Sequence, residues 1–299
     1  MCHGTIIVDS DGKDGVSVKK GLIMEGGAMR GMFTCGVIDV LMENGIAFDG
    51  AVGVSAGAAF GCNYKSRQIG RAIRYNTRFC AEKKYGGFYS LLTTGNIYNT
   101  DFCYHEIPEK YDPFDFEAYI ANPMEFYVVC TDVDSGAAVY HRYEGTEDSG
   151  FDWIRASASM PLVSQIVEID GHRYLDGALA DSIPVKFFQG LGYDRNVVIL
   201  TRPKNYTMKP NNLMPLIRAK YRKYPNLIAV AERRHRMYNG TLAYISHMER
   251  SGKLLVIRPD APLPVGRVEK DPEKLRNAYE IGRTLALKRL EEIKSYLNS

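Results

Sequence analysis

An α/β fold is predicted: a central, mostly parallel sheet flanked by helices, followed by a C-terminal, mainly helical extension. Three observations carry this. Two short apolar runs, Gly21–Glu25 and Phe48–Val54, flank an apolar stretch over Gly31–Asn44 that stops at Asn44-Gly45, which reads as a β-α-β unit and hence a parallel pair. Further β-rich runs follow at Glu125–Thr131 (EFYVVCT) and Asn196–Thr201 (NVVILT). After about residue 205 the composition shifts to a basic, helix-favouring stretch from Leu213 to Arg250.

The remaining elements follow in order. A run of small residues, Ala56–Gly61, opens a helix directly behind the second strand. Residues 65–120 are rich in Tyr, Phe, Arg and Asn and hold few clear periods, so helices and long loops around a site are expected. Ala137–His141 is placed to pair with Glu125–Thr131 after the turn at Asp134-Ser135-Gly136, and Trp153–Ser159 reads as a helix ended by Pro161. Ile166–Leu175 reads as a hairpin turning at Asp170-Gly171. Leu254–Arg258 is a further strand. Asp271-Pro272 forms a cap and first-turn proline for a helix whose apolar stripe runs from Leu275 to Leu297.

Composition narrows the function. A net charge of +3 over 299 residues is too small to imply nucleic acid, and no RNA-binding signature is present. Met1–Lys20 lacks the apolar core of a signal peptide, and no apolar run reaches bilayer length; a cytoplasmic protein is expected. The cysteines at 2, 35, 62, 80, 103 and 130 form no C-x-x-C pair and read as reduced core residues, with no metal or other cofactor implied.

The chemistry concentrates in three places. In Gly53-Val54-Ser55-Ala56-Gly57 a strand runs straight into a helix through a serine flanked by small residues. Such a turn strains the serine backbone, exposes its hydroxyl, and sets it beside a free N–H at a helix N-terminus. One β-α unit earlier lies Glu25-Gly26-Gly27-Ala28-Met29-Arg30-Gly31. Loops after adjacent parallel strands share one sheet edge, so this loop is expected to face the serine, its N–H groups toward a developing oxyanion and Arg30 holding the loop or an anion. A plain strand-helix turn or a phosphate cradle would use the same glycines, but the P-loop Lys-Ser/Thr and the dinucleotide fingerprint are missing. An activated serine needs a base. His235 and His247 lie in the basic stretch, where surrounding cations disfavour a charged imidazole, and the other histidines lack helpful context. Asp176, in Tyr174-Leu175-Asp176-Gly177-Ala178, remains, with an ordinary Asp-Gly turn as the competing reading.

Together, in order and spacing, these three motifs resemble the patatin-like phospholipases over roughly residues 20–201. That family carries a G-G-G-x-R/K-G loop, then G-x-S-x-G, then D-G-G/A; the small-residue stretch Ala156–Leu162 also looks like one of its segments. More narrowly, the chain is similar to the bacterial branch with Glu25 before the loop and a basic extension after the domain. The resemblance implies an α/β/α sandwich; with the polar start and the compositional shift near residue 205, the chain is expected to divide into a flexible leader at 1–19, a catalytic domain at 20–205 and an extension at 206–299 packed on it. It also implies a Ser55–Asp176 dyad with no metal, an oxyanion hole from the Gly26, Gly27, Ala28, Met29 and Ala56 region, and Arg30, Gly31, Gly53, Gly57, Gly177 and Ala178 as motif support. The implied substrate is a lipid acyl ester. The alternatives are an acyltransferase or thioesterase, or a non-catalytic lipid-binding or regulatory protein on the same scaffold. The departure is Ala28, where the family has a third glycine; a positive φ there would cost about 1 kcal/mol or more. The basic extension reads as a solvated face, with peripheral contact to an anionic inner membrane surface as the alternative.

Overall fold

The computed structural model describes residues 18–146 and 150–299, so the predicted leader lies almost wholly outside the described residues. The chain opens with β1 (Lys19–Met24), α1 (Gly31–Glu43), β2 (Gly50–Val54) and α2 (Ala56–Lys65). The segment without a clear period contains α3 (Arg71–Phe79), α4 (Phe88–Thr94), a π-helical stretch over Phe102–Tyr111 with Pro108 inside it, and α5 (Phe116–Ala121). Then come β3 (Glu125–Asp132), β4 (Ala138–Arg142), α6 (Asp152–Ser157), β5 (Val167–Ile169) and β6 (His172–Asp176). The chain closes with α7 (Val185–Gly190), β7 (Tyr193–Ile199), α8 (Met214–Lys220), α9 (Pro225–Arg250), β8 (Leu254–Ile257), α10 (Pro272–Lys288) and α11 (Leu290–Asn298).

Local chemistry accounts for the boundaries. Asp170 and Gly171 both take positive φ (51° and 76°), as the tight turn between β5 and β6 requires. The Asp271 carboxylate accepts the Glu273 N–H at the start of α10. The stripe from Leu275 to Leu297 is split rather than continuous. At Arg289 the backbone leaves helical angles (φ −103°, ψ 11°), while its guanidinium donates to the Val256 carbonyl of β8 and to Glu292.

The strands form one sheet in the order β5-β6-β3-β2-β1-β7-β8, with β4 also paired to β3. β3-β2-β1-β7-β8 are parallel; β4, β5 and β6 pair antiparallel. Consecutive β1 side chains point to opposite faces: Leu22 and Met24 join the core with α1, α2 and α10, whereas Ile23 joins Val52, Val198 and Tyr238 of α9. Helices therefore cover both faces. The C-terminal region is not merely appended, because β8 extends the sheet and α10 lies on α1. That helix pair meets backbone to backbone: a Cβ on Gly36 would stand 2.0 Å from the Tyr279 oxygen.

Candidate active site

Strand register brings Ser55 and Asp176 together. β4 occupies one edge of β3 from Tyr127 to Thr131. On the other edge β2 runs parallel until Val54 pairs with Val129, and β6 takes over antiparallel with Asp176 opposite Cys130. Two strands of opposite direction thus end head to head on a single strand. The residue leaving one is Ser55, and the last residue of the other is Asp176.

Ser55 sits at φ 55°, ψ −121°, the strained turn expected from its motif, and is 6% exposed. Its neighbours are small because backbones touch here. A Cβ on Gly53 would lie 2.4 Å from the Gly57 oxygen, and one on Gly57 would lie 2.3 Å from the Met24 oxygen. The Ser55 N–H donates to Ser157 Oγ (2.8 Å), which donates on to the Val129 carbonyl (2.6 Å). Ser157, in the small-residue stretch, thereby ties the turn to β3.

The glycine loop faces the serine as its position after the adjacent strand predicts. A Cβ on Gly26 would come within 2.9 Å of the Ser55 Cβ, and one on Gly31 within 3.0 Å of the Ala56 Cβ. Gly27 accepts the Arg30 N–H, closing a tight turn. Ala28 does adopt a positive φ, 49°. Among the described residues, the backbone N–H groups of Gly26, Gly27, Ala28, Met29 and Ala56 donate to no protein acceptor; donors left free beside a hydroxyl suit an oxyanion. Behind the loop, buried Glu25 accepts the Thr201 N–H (2.6 Å) and hydroxyl (3.1 Å) and the Tyr238 hydroxyl of α9. Burial raises the Glu25 pKa, and these donors and Arg30 oppose the rise. Arg30, largely desolvated and close to Arg202, is pushed down to about 10, and its Nε is buried with no protein partner.

Asp176 is buried, and burial raises its pKa above the ordinary carboxylate range. The Ala178 N–H, donating to Oδ1 at 2.8 Å, opposes the rise; the Ser55 hydroxyl does so more weakly, followed by the Arg234 and Arg267 charges. Gly177 is required by contact, since a Cβ there would fall 2.1 Å from the Val129 oxygen. Arg234 of α9 donates Nε to the Ala178 carbonyl.

A cavity opens at Ser55. Its wall includes Ala28, Met29 and Ala56 from the loop and elbow, and Phe60, Tyr104 and Ile154 among its larger side chains. Much of that wall comes from residues 71–108, the stretch expected to surround a site. Among the described residues no histidine lines this cavity, and no group of three or more His, Cys, Asp or Glu could hold a metal. Cys35, Cys62, Cys80, Cys103 and Cys130 are free thiols, and burial pushes Cys62 up to about 12.

All the motif residues named from the sequence converge here. The sequence marks Ser157 only as part of the small-residue stretch and Glu25 only as preceding the loop, and gives Thr201, Arg234 and Tyr238 no role in the site. No local motif marks the partners of Glu25, which stand 176 and 213 positions away.

Comparison with known proteins places the chain in a family. A patatin-like phospholipase model matches residues 22–188, and a domain of unknown function, DUF6363, matches residues 224–298. The uncharacterized protein YjjU of Escherichia coli K12 is 28% identical over 283 residues, covering 88% of this chain and 74% of that protein. Lysophospholipase nte1 of Aspergillus niger is 30% identical over 187 residues, covering 58% of this chain and 11% of the fungal protein, so the chain spans about a tenth of that relative. VipD from Legionella pneumophila superposes with a TM-score of 0.47 at 14% identity, over 92% of this chain and 67% of VipD. The patatin-like model alone spans more than half of the 299 residues, and the chain belongs to the patatin-like phospholipase family.

Proposed function

We propose that this protein hydrolyses lipid acyl esters, of phospholipid, lysophospholipid or acylglycerol type, through Ser55 and Asp176. The observation that carries the reading is the junction on β3, where a strained serine and a buried carboxylate meet beside a loop of free N–H donors. Asp176 takes the proton of Ser55 Oγ as that oxygen attacks the ester carbonyl. The N–H groups of Gly27, Ala28 and Ala56 hold the oxyanion while the C–O bond to the leaving alcohol breaks, and the proton passes to that alkoxide. Water activated by Asp176 then adds to the acyl-serine ester, releasing the fatty acid and restoring Ser55. The cavity beside Ser55 would receive the acyl chain. Lysophospholipase relatives support this substrate class.

Replacing Ser55→Ala should abolish both hydrolysis of a lipid ester and fluorophosphonate labelling; labelling retained in that variant would overturn the reading. Asp176→Asn should abolish hydrolysis with the protein still folded. Because only ionised Asp176 accepts a proton and burial raises its pKa, kcat/KM should fall with decreasing pH at a value above the ordinary carboxylate range.

A further inference from the structure

Residues 85–99 form a compact loop with a closed neck. Gly86 bridges Tyr98, the Asn99 N–H donates to the Tyr85 carbonyl (3.1 Å), and the Gly87 N–H donates to the Ile97 carbonyl (2.7 Å). Inside, buried Ser90 donates to the Asn96 carbonyl (2.8 Å). Loops of this shape, packed on their own side chains with their ends together, are frequently functional. The neck is a wall of the Ser55 cavity: Tyr85 and Tyr98, ring centroids 5.7 Å apart, both line it, as does Asn96.

The tip is α4, which turns the wrong side chains outward for a protein surface facing water. Phe88 is 70% exposed, Tyr89 56% and Leu92 69%. Positions 88 and 92 are one helical turn apart and share a face. Val268, 37% exposed, lies on the segment whose Arg267 carbonyl accepts the Tyr98 hydroxyl of the neck (2.9 Å). Lys270 reaches the start of α4, its Nζ 2.9 Å from where a Cβ on Gly87 would stand, and Lys83 precedes the neck; both are exposed and, among the described residues, meet no carboxylate within 4.0 Å. The nearby acids are engaged: Glu82 with Lys84, and Glu269 with the Lys270 and Asp271 N–H groups and with Lys274.

We infer that α4 is the membrane-docking element of this protein, inserting Phe88, Tyr89 and Leu92 among the acyl chains of an anionic bilayer while Lys83 and Lys270 meet its headgroups. Apolar side chains ringed by cations are what a protein lying on such a surface presents. A lipid surface, rather than a second protein, fits because the patch tops the wall of a cavity proposed to take lipid. The inference rests on that substrate reading and places the membrane contact on a seven-residue helix beside the cavity rather than on the basic C-terminal stretch. Docking at α4 lets a lipid pass from the bilayer along the Tyr85–Tyr98 neck without crossing water.

The test is co-sedimentation of the full chain with phosphatidylcholine vesicles, with and without a third of anionic phosphatidylglycerol. The protein should bind the anionic vesicles, and Phe88→Ser/Leu92→Ser should weaken partitioning roughly tenfold or more. Lys83→Glu should weaken it several-fold on anionic vesicles alone. Both variants should keep the wild-type melting temperature and the wild-type rate on a water-soluble short-chain ester. Wild-type protein that ignores vesicles, or a double variant that binds them undiminished, overturns the inference. So does a double variant that changes only oligomeric state in sedimentation velocity, which would make α4 a protein contact. Ser55→Ala separates the two claims: it should still bind vesicles, so binding without hydrolysis in the wild type would sink the hydrolase reading and leave the docking element standing.

Discussion

Around Ser55 the geometry is set by backbone against backbone, whereas the C-terminal region reaches the same centre with side chains. Gly26, Gly53, Gly57 and Gly177 stand where a single methyl would strike a main chain or the Ser55 side chain itself. Tyr238 and Arg234, both on α9, act through one hydrogen bond each, to Glu25 and to the Ala178 carbonyl. Backbone contact admits no partial loss, because neither partner has a rotamer to change. A side-chain bond can be removed and leave the frame standing. The first region should therefore fail abruptly and the second by degrees.

The sharpest way to break this contrast is Gly57→Ala. Its Cβ would meet the Met24 carbonyl at 2.3 Å, so β1 and α2 must part. We expect a loss of about 1–3 kcal/mol or more and no fluorophosphonate labelling, read by thermal melting and by gel. A variant that melts and labels like wild type would show that the elbow tolerates what its contacts forbid.

Tyr238→Phe probes the other side. It leaves Glu25 without its α9 donor and should cost about 1–3 kcal/mol while labelling persists. The sign with pH follows from linkage. Burial raises the Glu25 pKa in the fold, and losing a donor to the ionised form raises it further. The added instability is therefore absent while Glu25 is protonated and present once it ionises. The gap in Tm between variant and wild type should widen as pH rises above the ordinary carboxylate range, where Glu25 ionises. Ala28→Gly is the mildest change. Relieving φ 49° should stabilise by about 1 kcal/mol, seen as a small rise in Tm.

The contrast also explains what could be read from the chain. Tight backbone approach demands small residues at fixed spacing, so the loop, the elbow and the Asp-Gly motif are visible as strings of letters. The β-α-β start and the hairpin at Asp170-Gly171 are legible for the same reason. Anchoring side chains leave no such trace, since any tyrosine among 20 could have been the one bonded to Glu25. The helices between residues 65 and 120 are indistinct in the sequence because aromatic packing fixes them: the rings of Phe79, Phe102 and Tyr111 meet in T-shaped and tilted pairs, with centroids 5.2–5.6 Å apart. The split at Arg289 was hidden in an unbroken apolar stripe, because a long-range bond to β8 accompanies it.

The head-to-head junction on β3 bears on when the chain becomes chemically active. Three residue pairs hold β6 to β3, and Asp176 is the last of them. Slipping that short ladder by one position turns the Asp176 side chain to the opposite face of the sheet, while Ser55 stays where β2 puts it. The residues that tie the elbow to β3, as far as Ser157, are all synthesised before residue 176. Under the proposed reading, the serine is then present without its base. A nascent or misregistered molecule would be inert toward the lipids around it, and hydrolysis would begin only when the β5–β6 hairpin docks.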